Sequence, residues 1–404
     1  MIGAQNEHRA ATPRRLAPEP KGHWLWRIGA FRRDPLRTLH AASRDVGDIV
    51  RFKFGPLEMH FAARPEVVQH VLQDNAKNYT KQTIGYTKVK LALGDGLLTS
   101  EGDFWRRQRR IVQPAFHKDS LRSFASTMVA STAAMLERWM GPAARGEPVE
   151  VGSEMMRLTL DIVCRTMFSL DMSEQATRLG ELMTRALAYV NSRTMSLTSR
   201  FDFPEKLPTA KARRFRAAIR EGDELVARVI EQRKSSGNDP GDLLSMLMNL
   251  RDAETGESMT GRQLRDEIIT IFAAGHETTA NLLTWTCWLI GRHVDVADRL
   301  HAEVDRVLEG KDPSLEMLPR LETTTMVLKE AMRLYPPAWA LSRRAIAPDR
   351  LGGFDIPSGS VVLVVVSEVP LFAPSAPASA CSTWNGCWYW VEPCWNSALR
   401  MVWI

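Results

Sequence analysis

One uninterrupted helical run, from Thr260 to about Arg292, constrains this chain more than any other feature. Thr260 with Gln263 three residues on forms a capping-box pattern that opens the run. As a single helix it would be about 50 Å long. A helix of that length must cross the whole molecule. Its middle, rich in Ile, Phe, Ala and Leu, is therefore expected to be buried.

Inside that run stands Ala274-Gly275-His276-Glu277-Thr278-Thr279. A helical glycine costs about 1 kcal/mol against alanine, so it needs a local reason. A threonine hydroxyl can bond the carbonyl one turn back and distort the helix. The combination predicts a small polar notch in an apolar wall, able to hold a small ligand and to pass protons from Glu277 through Thr278. The plainer alternative is a helix with incidental polar residues.

Two further groupings stand out. In Glu330-Ala-Met-Arg333 the acid and the base share a helix face, which Pro336-Pro337 then ends; alone, this reads as a solvated surface pair. In Trp105-Arg106-Arg107-Gln108-Arg109-Arg110, Trp105 and Arg109 share a face one turn apart. An indole donor beside a guanidinium suits a carboxylate partner, whereas the plainer reading is a basic solvated helix.

The period is helical almost throughout from about 104 to 310. Breaks come at Gly141-Pro142, Phe203-Pro204, Leu207-Pro208 and Ser235–Pro240. Residues 48 to 63 alternate around Gly55-Pro56 as a β-hairpin, and Pro65 opens a helix. Phe354-Asp-Ile-Pro-Ser-Gly-Ser feeds a late strand. The expected fold class is mainly α with a small β region contributed by both ends, in one large domain.

The net charge of +6 is spread along the chain and does not point to nucleic acid. No run approaches the roughly 18 apolar residues of a membrane span. Residues 1–20 carry Arg9, Arg14, Arg15 and three prolines without an apolar stretch, so they read as a flexible polar arm rather than a signal peptide. A cytoplasmic, soluble protein is expected. Of five cysteines, none forms a CxxC pair; Cys164 and Cys287 read as buried free thiols, and no residue is assigned as a metal ligand.

Taken together, from about Pro20 to Val366, these residues resemble the cytochrome P-450 family of haem-thiolate monooxygenases. Trp105 and Arg109 match its W-x-x-x-R helix, which implies hydrogen bonds to a haem propionate. Ala274 to Thr279 match its [AG]-G-x-[DE]-T-[TS] motif over the haem. That match makes Ala274 and Gly275 cofactor-binding and Glu277 and Thr278 the acid–alcohol pair that relays protons. Glu330 and Arg333 match E-x-x-R, a buried structural pair in the family. Arg344 matches the position of a second propionate contact, and Gly353 to Gly359 match the turn before the family's next strand.

The resemblance implies the cytochrome P-450 fold, a haem (iron protoporphyrin) and an apolar small-molecule substrate. With no reductase domain fused, it also implies electrons from NAD(P)H through an external ferredoxin or flavodoxin with its reductase. Arg106, Arg107 and Arg110 would lie on the docking face. Substrate-contacting segments would fall near Ile84–Val89, Ala186–Thr198 and Ala338–Leu341, which are mildly apolar and select no substrate.

The sequence departs from the family at the haem-ligand signature F-x-x-G-x-[RH]-x-C-x-G. Seven residues before Cys381, Cys387 and Cys394 stand Pro374, Ala380 and Cys387; four before stand Pro377, Thr383 and Trp390. None supplies the Phe or the Gly. From Ser367 the composition changes: residues 367–404 hold five of twelve tryptophans and three of five cysteines. The division expected is an arm over 1–20, a cytochrome P-450-like domain over 21–366 with its C-terminal part incomplete, and a tail over 367–404 that reads as a shifted frame. Three functions follow in order: a monooxygenase inactive in this chain, a haem-poor non-catalytic remnant, and a basic helical binding protein.

Overall fold

The computed structural model describes residues 15–365 except Pro56, 170–173, 195, 197–206 and 238. Most of the N-terminal arm, and the whole 367–404 tail with its three cysteines, lie outside the described residues. The chain divides into two compact units, one from Met1–Thr80 with Ala340–Met401 and one centred on Lys81–Trp339.

In the first unit, Asp34 separates two helices, α1 (Trp24–Arg33) and α2 (Pro35–Val46). Its carboxylate caps α2 by accepting from the Arg37 N–H at 3.0 Å, and Pro35 occupies the first turn, where its missing N–H costs nothing. The expected hairpin forms as β1 (Ile49–Phe54) and β2 (Leu57–Ala62), and Pro65 opens α3 (Pro65–Gln69).

Strands β3 (Tyr79–Thr80), β4 (Ala340–Ala345) and β7 (Val361–Val365) complete a five-stranded sheet in the order β1-β2-β7-β4-β3, with β2 and β7 parallel. The small pair β5 (Asp349–Leu351) and β6 (Phe354–Ile356) turns through Gly352 and Gly353, both at positive φ. The β region thus draws on both ends of the chain, as expected. Val67, Val71, Ile49, Leu351 and Val364 pack its core. Asp349 fastens the unit by accepting from Tyr79 Oη at 2.6 Å and Asn75 Nδ2 at 3.0 Å.

The second unit is helical among its described residues. It contains α4 (Ile84–Leu93), α5 (Gly102–Val112), α6 (Lys118–Ala144), α7 (Val151–Phe168) and α8 (Glu174–Thr194). It continues with α9 (Ala210–Ser236), α10 (Leu243–Asn249), α11 (Gly261–Arg292), α12 (Val294–Leu308) and α13 (Glu322–Leu334). The Thr260–Gln263 capping box is formed, and α11 runs unbroken for 32 residues beside α7. Leu264, Ile268, Phe272, Cys164, Val226 and Leu247 are core residues of this unit.

Three expectations change. Pro142 does not end α6 but sits in its last turn, which closes at Ala144. Burial of α11 is dense only up to Ala273; beyond it Thr279, Trp285 and Trp288 are exposed. Cys287 is on that exposed part and is not a buried thiol, whereas Cys164 is buried.

Candidate functional site

The expected back-bond in α11 is present, within an unbroken helix. Thr278 Oγ1 donates to the Ala274 carbonyl, the back-bond expected of a helical threonine. Both residues and Gly275 are partly buried. Glu277 is half-buried, has no ion-pair partner among the described residues, and its carboxyl is raised above the ordinary range by desolvation. An acid so tuned exchanges protons more readily near neutral pH than an exposed glutamate. His276 faces the other way: its Nε2 lies 3.1 Å from the Met156 carbonyl, beside the Phe272 ring. Burial lowers its pKa, so the neutral ring anchors α11 to α7.

On α5 the Arg109 guanidinium stands 5.1 Å from the Trp105 ring centroid. Lys81 Nζ stands 5.6 Å from the same ring and donates to the carbonyls of Leu98 at 3.0 Å and Ser100 at 3.2 Å. Sequence reasoning missed Lys81, because loop carbonyls leave no signature. Trp105 Nε1 is buried and has no hydrogen-bond partner. Arg109 has no carboxylate partner among the described residues, and desolvation lowers its pKa. A buried orphan donor and a partly desolvated cation together call for an anion. A haem propionate would satisfy both, so this side of the cofactor fits.

The N-terminal half of α11 holds the loop that leads into α5. Asp266 Oδ2 accepts from the Asp95 N–H at 2.8 Å, and Glu267 Oε2 from the Leu97 N–H at 3.0 Å. Glu267 Oε1 accepts from Gln108 Nε2 at 3.2 Å, inside α5 itself. Burial pushes the Glu267 carboxyl up to about 7. The helix with the notch and the helix with Trp105 are therefore joined through one buried carboxyl.

The other arginines of α5 are compensated within the chain. Arg110 pairs with Asp252 at 3.1 Å and Glu254 at 2.9 Å, Arg107 with Glu257 at 3.0 Å, and Arg106 with Asp103. Arg333 binds Glu330 bidentately at 2.5 and 2.7 Å; the pair is partly buried, intermediate between the two sequence readings.

In the first unit, β4 exposes Arg344 and buries Arg343. Successive strand residues face opposite sides, so only one of the two arginines can point inward. Arg344, assigned above to a propionate, is the outward one.

Among the described residues no cysteine suits an iron thiolate. Cys164 lies in the core of α7, where burial raises its thiol to about 12, and partial desolvation raises the Cys287 thiol as well. Among the described residues no cluster of three or more His, Cys, Asp or Glu side chains could hold a metal ion. No described helix is long and apolar enough to cross a membrane.

The cytochrome P450 family model matches residues 17–370. Cyclooctatin synthase of Streptomyces melanosporofaciens is 38% identical over 82% of this chain and 71% of its own. Cyclooctat-9-en-7-ol 5-monooxygenase of the same organism is 33% identical over 88% and 78%. Pentalenene oxygenase of Streptomyces avermitilis is 32% identical over 83% and 73%. The α-rich fold with its small mixed sheet is that of a cytochrome P450. The chain belongs to the cytochrome P450 family.

Proposed function

We propose that this scaffold serves oxygenation of an apolar, terpene-like molecule, and that this chain does not complete the reaction. The observation that carries the first half is the Thr278–Ala274 back-bond beside the desolvated Glu277 carboxyl, midway along α11. When bound, haem with a thiolate ligand supplies oxygen activation, the thiolate pushing electron density toward O–O cleavage. The chain's own part is to hold, orient and protonate. Trp105 Nε1 and Arg109 would bind one propionate. Thr278 keeps a polar niche open in an otherwise apolar wall, and Glu277 exchanges protons through it while the surroundings limit water.

For the second propionate the resemblance gives Arg344. The relatives named for a cyclic alkenol and for pentalenene support a terpene-like substrate. Electrons would come from NAD(P)H through a ferredoxin or flavodoxin, docking elsewhere than on the internally paired Arg107 and Arg110.

The second half rests on the missing cysteine signature. The family match stops at residue 370, close to where the composition changes after Val366, which supports reading 367–404 as a non-family tail from a shifted frame. Without a thiolate, haem would be weakly ligated and oxygen activation fails. The purified chain, reconstituted with haem, reduced and exposed to carbon monoxide, is expected to lack the red-shifted Soret band of a thiolate-ligated haem. Appearance of that band overturns the inactive reading and restores a working monooxygenase. Sequencing the encoding DNA tests the frame; one intact frame with no restorable cysteine motif would sink the shifted-frame account.

A further inference from the structure

Helix α1 leaves its most apolar side uncovered. Trp24, Leu25 and Trp26 are exposed, Trp26 by 82%, although aromatic residues of this size normally lead the list of what a fold buries. The inner side of the same helix is occupied: Ile28 and Phe31 are partly buried, the Phe31 ring lies 6.2 Å from Phe54, and Arg27 binds Glu19 at 3.3 Å. The outer side runs from Leu25 and Trp26 through Gly29 and Ala30 to Arg32 and Arg33, residues spaced three and four apart on one face. Apolar bulk thus stands at one end, backbone-like small residues in the middle and two cations at the other end.

The charges around this face have one sign. Lys21, Arg32, Arg33 and Arg37 are exposed, and none has an ion-pair partner among the described residues. The nearby acids are engaged: Glu19 pairs with Arg27 and Arg51, Asp45 with Arg44, and Asp34 caps α2. Helix α1 itself contains no carboxylate.

We propose that α1 docks this protein on the surface of an anionic lipid bilayer, with Trp26 and Leu25 seated at the headgroup–acyl boundary and Lys21, Arg32 and Arg33 against lipid phosphates. Tryptophan is suited to that boundary because its ring is apolar and its N–H is wet. Each cation near such a surface contributes about a fivefold gain in partitioning. Docking is peripheral, so it requires no membrane span. It would bring the molecule to where an apolar substrate of the kind proposed above concentrates, a consequence that rests on that reading, whereas the docking itself does not.

The test is flotation of the full chain with vesicles of phosphatidylcholine, with and without phosphatidylglycerol, at low and high salt. Binding is expected only with phosphatidylglycerol and weakened by salt. The double variant Leu25→Ser/Trp26→Ser and the double variant Arg32→Glu/Arg33→Glu should each bind at least tenfold more weakly while keeping the circular dichroism of the parent. Met140→Ser, which removes an equally exposed apolar side chain from α6, should bind unchanged. Equal binding to both vesicle types, no binding at all, or a Met140→Ser loss matching the α1 variants overturns the proposal. So does a fall from dimer to monomer in the Trp26 variant with vesicle binding intact, because the face would then belong to a second copy.

Discussion

The Gln108 side-chain amide donates to Glu267 at 3.2 Å, and both side chains are fully buried. Through this contact α5, which carries Trp105 and Arg109, is held to α11, which carries Glu277 and Thr278. Burial raises the Glu267 carboxyl from the ordinary 4.5 to about 7. A group whose folded pKa is raised stabilises fully below its unfolded pKa, and that contribution is lost as pH climbs through the folded value. From pH 4.5 to 7 the loss corresponds to about 3 kcal/mol. Urea melts of the parent and Glu267→Gln should therefore diverge across that window, the parent losing ground as pH rises. A pH-independent difference would show that the carboxyl titrates normally.

His60 gives the opposite slope. Its ring is fully buried on β2, neither nitrogen has a hydrogen-bond partner among the described residues although the Glu58 carboxylate lies 3.5 Å from Nε2, and its pKa is pushed down to about 4, first by burial and then by Arg51. A depressed pKa contributes stability above the unfolded value near 6.5, which is lost as pH falls through the folded one. His60→Leu should thus remove an acid sensitivity of up to about 3 kcal/mol between pH 6.5 and 4. In that variant the acid-side loss should shrink relative to the parent. Melts of His60→Leu that fall in parallel with the parent below pH 6 would refute the assignment.

Trp105→Phe separates fold from cofactor. The Trp105 N–H has no partner among the described residues, so its removal leaves no orphan and should change apo stability by less than about 1 kcal/mol. If the indole serves a propionate, the lost bond to a charged acceptor weakens haem binding about tenfold or more. Soret titration with haem and thermal melts of the apo chain measure the two quantities independently. A stability loss of several kcal/mol with unchanged haem affinity would make Trp105 a packing residue only.

What the sequence revealed was local. Thr260 and Gln263, or Thr278 and the Ala274 carbonyl, lie within one turn of each other, so their contacts follow from helical geometry alone. What it hid was set by distance or by phase. Glu267 carries no sequence signature because its partners, Leu97 and Gln108, come from 170 and 159 residues away. That β4 buries Arg343 and exposes Arg344 follows from its pairing with β7, which a one-residue slip would reverse. Arg107 and Arg110 read as free cations because their acids sit beyond residue 250.

Gly96 tests how tightly the loop before α5 is seated. A Cβ built there would lie 2.2 Å from Thr270 Oγ1 and 2.7 Å from the Asp266 carbonyl. The hydroxyl could rotate away, but the carbonyl belongs to the backbone of α11 and cannot move without bending the helix. Gly96→Ala should therefore cost about 1–3 kcal/mol, as overpacking of a filled interior does. Because the displaced loop also carries the Leu97 N–H that Glu267 accepts and the Ser100 carbonyl that Lys81 binds, the damage should reach α5. Hydrogen exchange of the Leu97 amide, and haem affinity through Trp105, should both change in Gly96→Ala. A variant that melts earlier but keeps both at parental values would show that the loop can shift without moving the cradle.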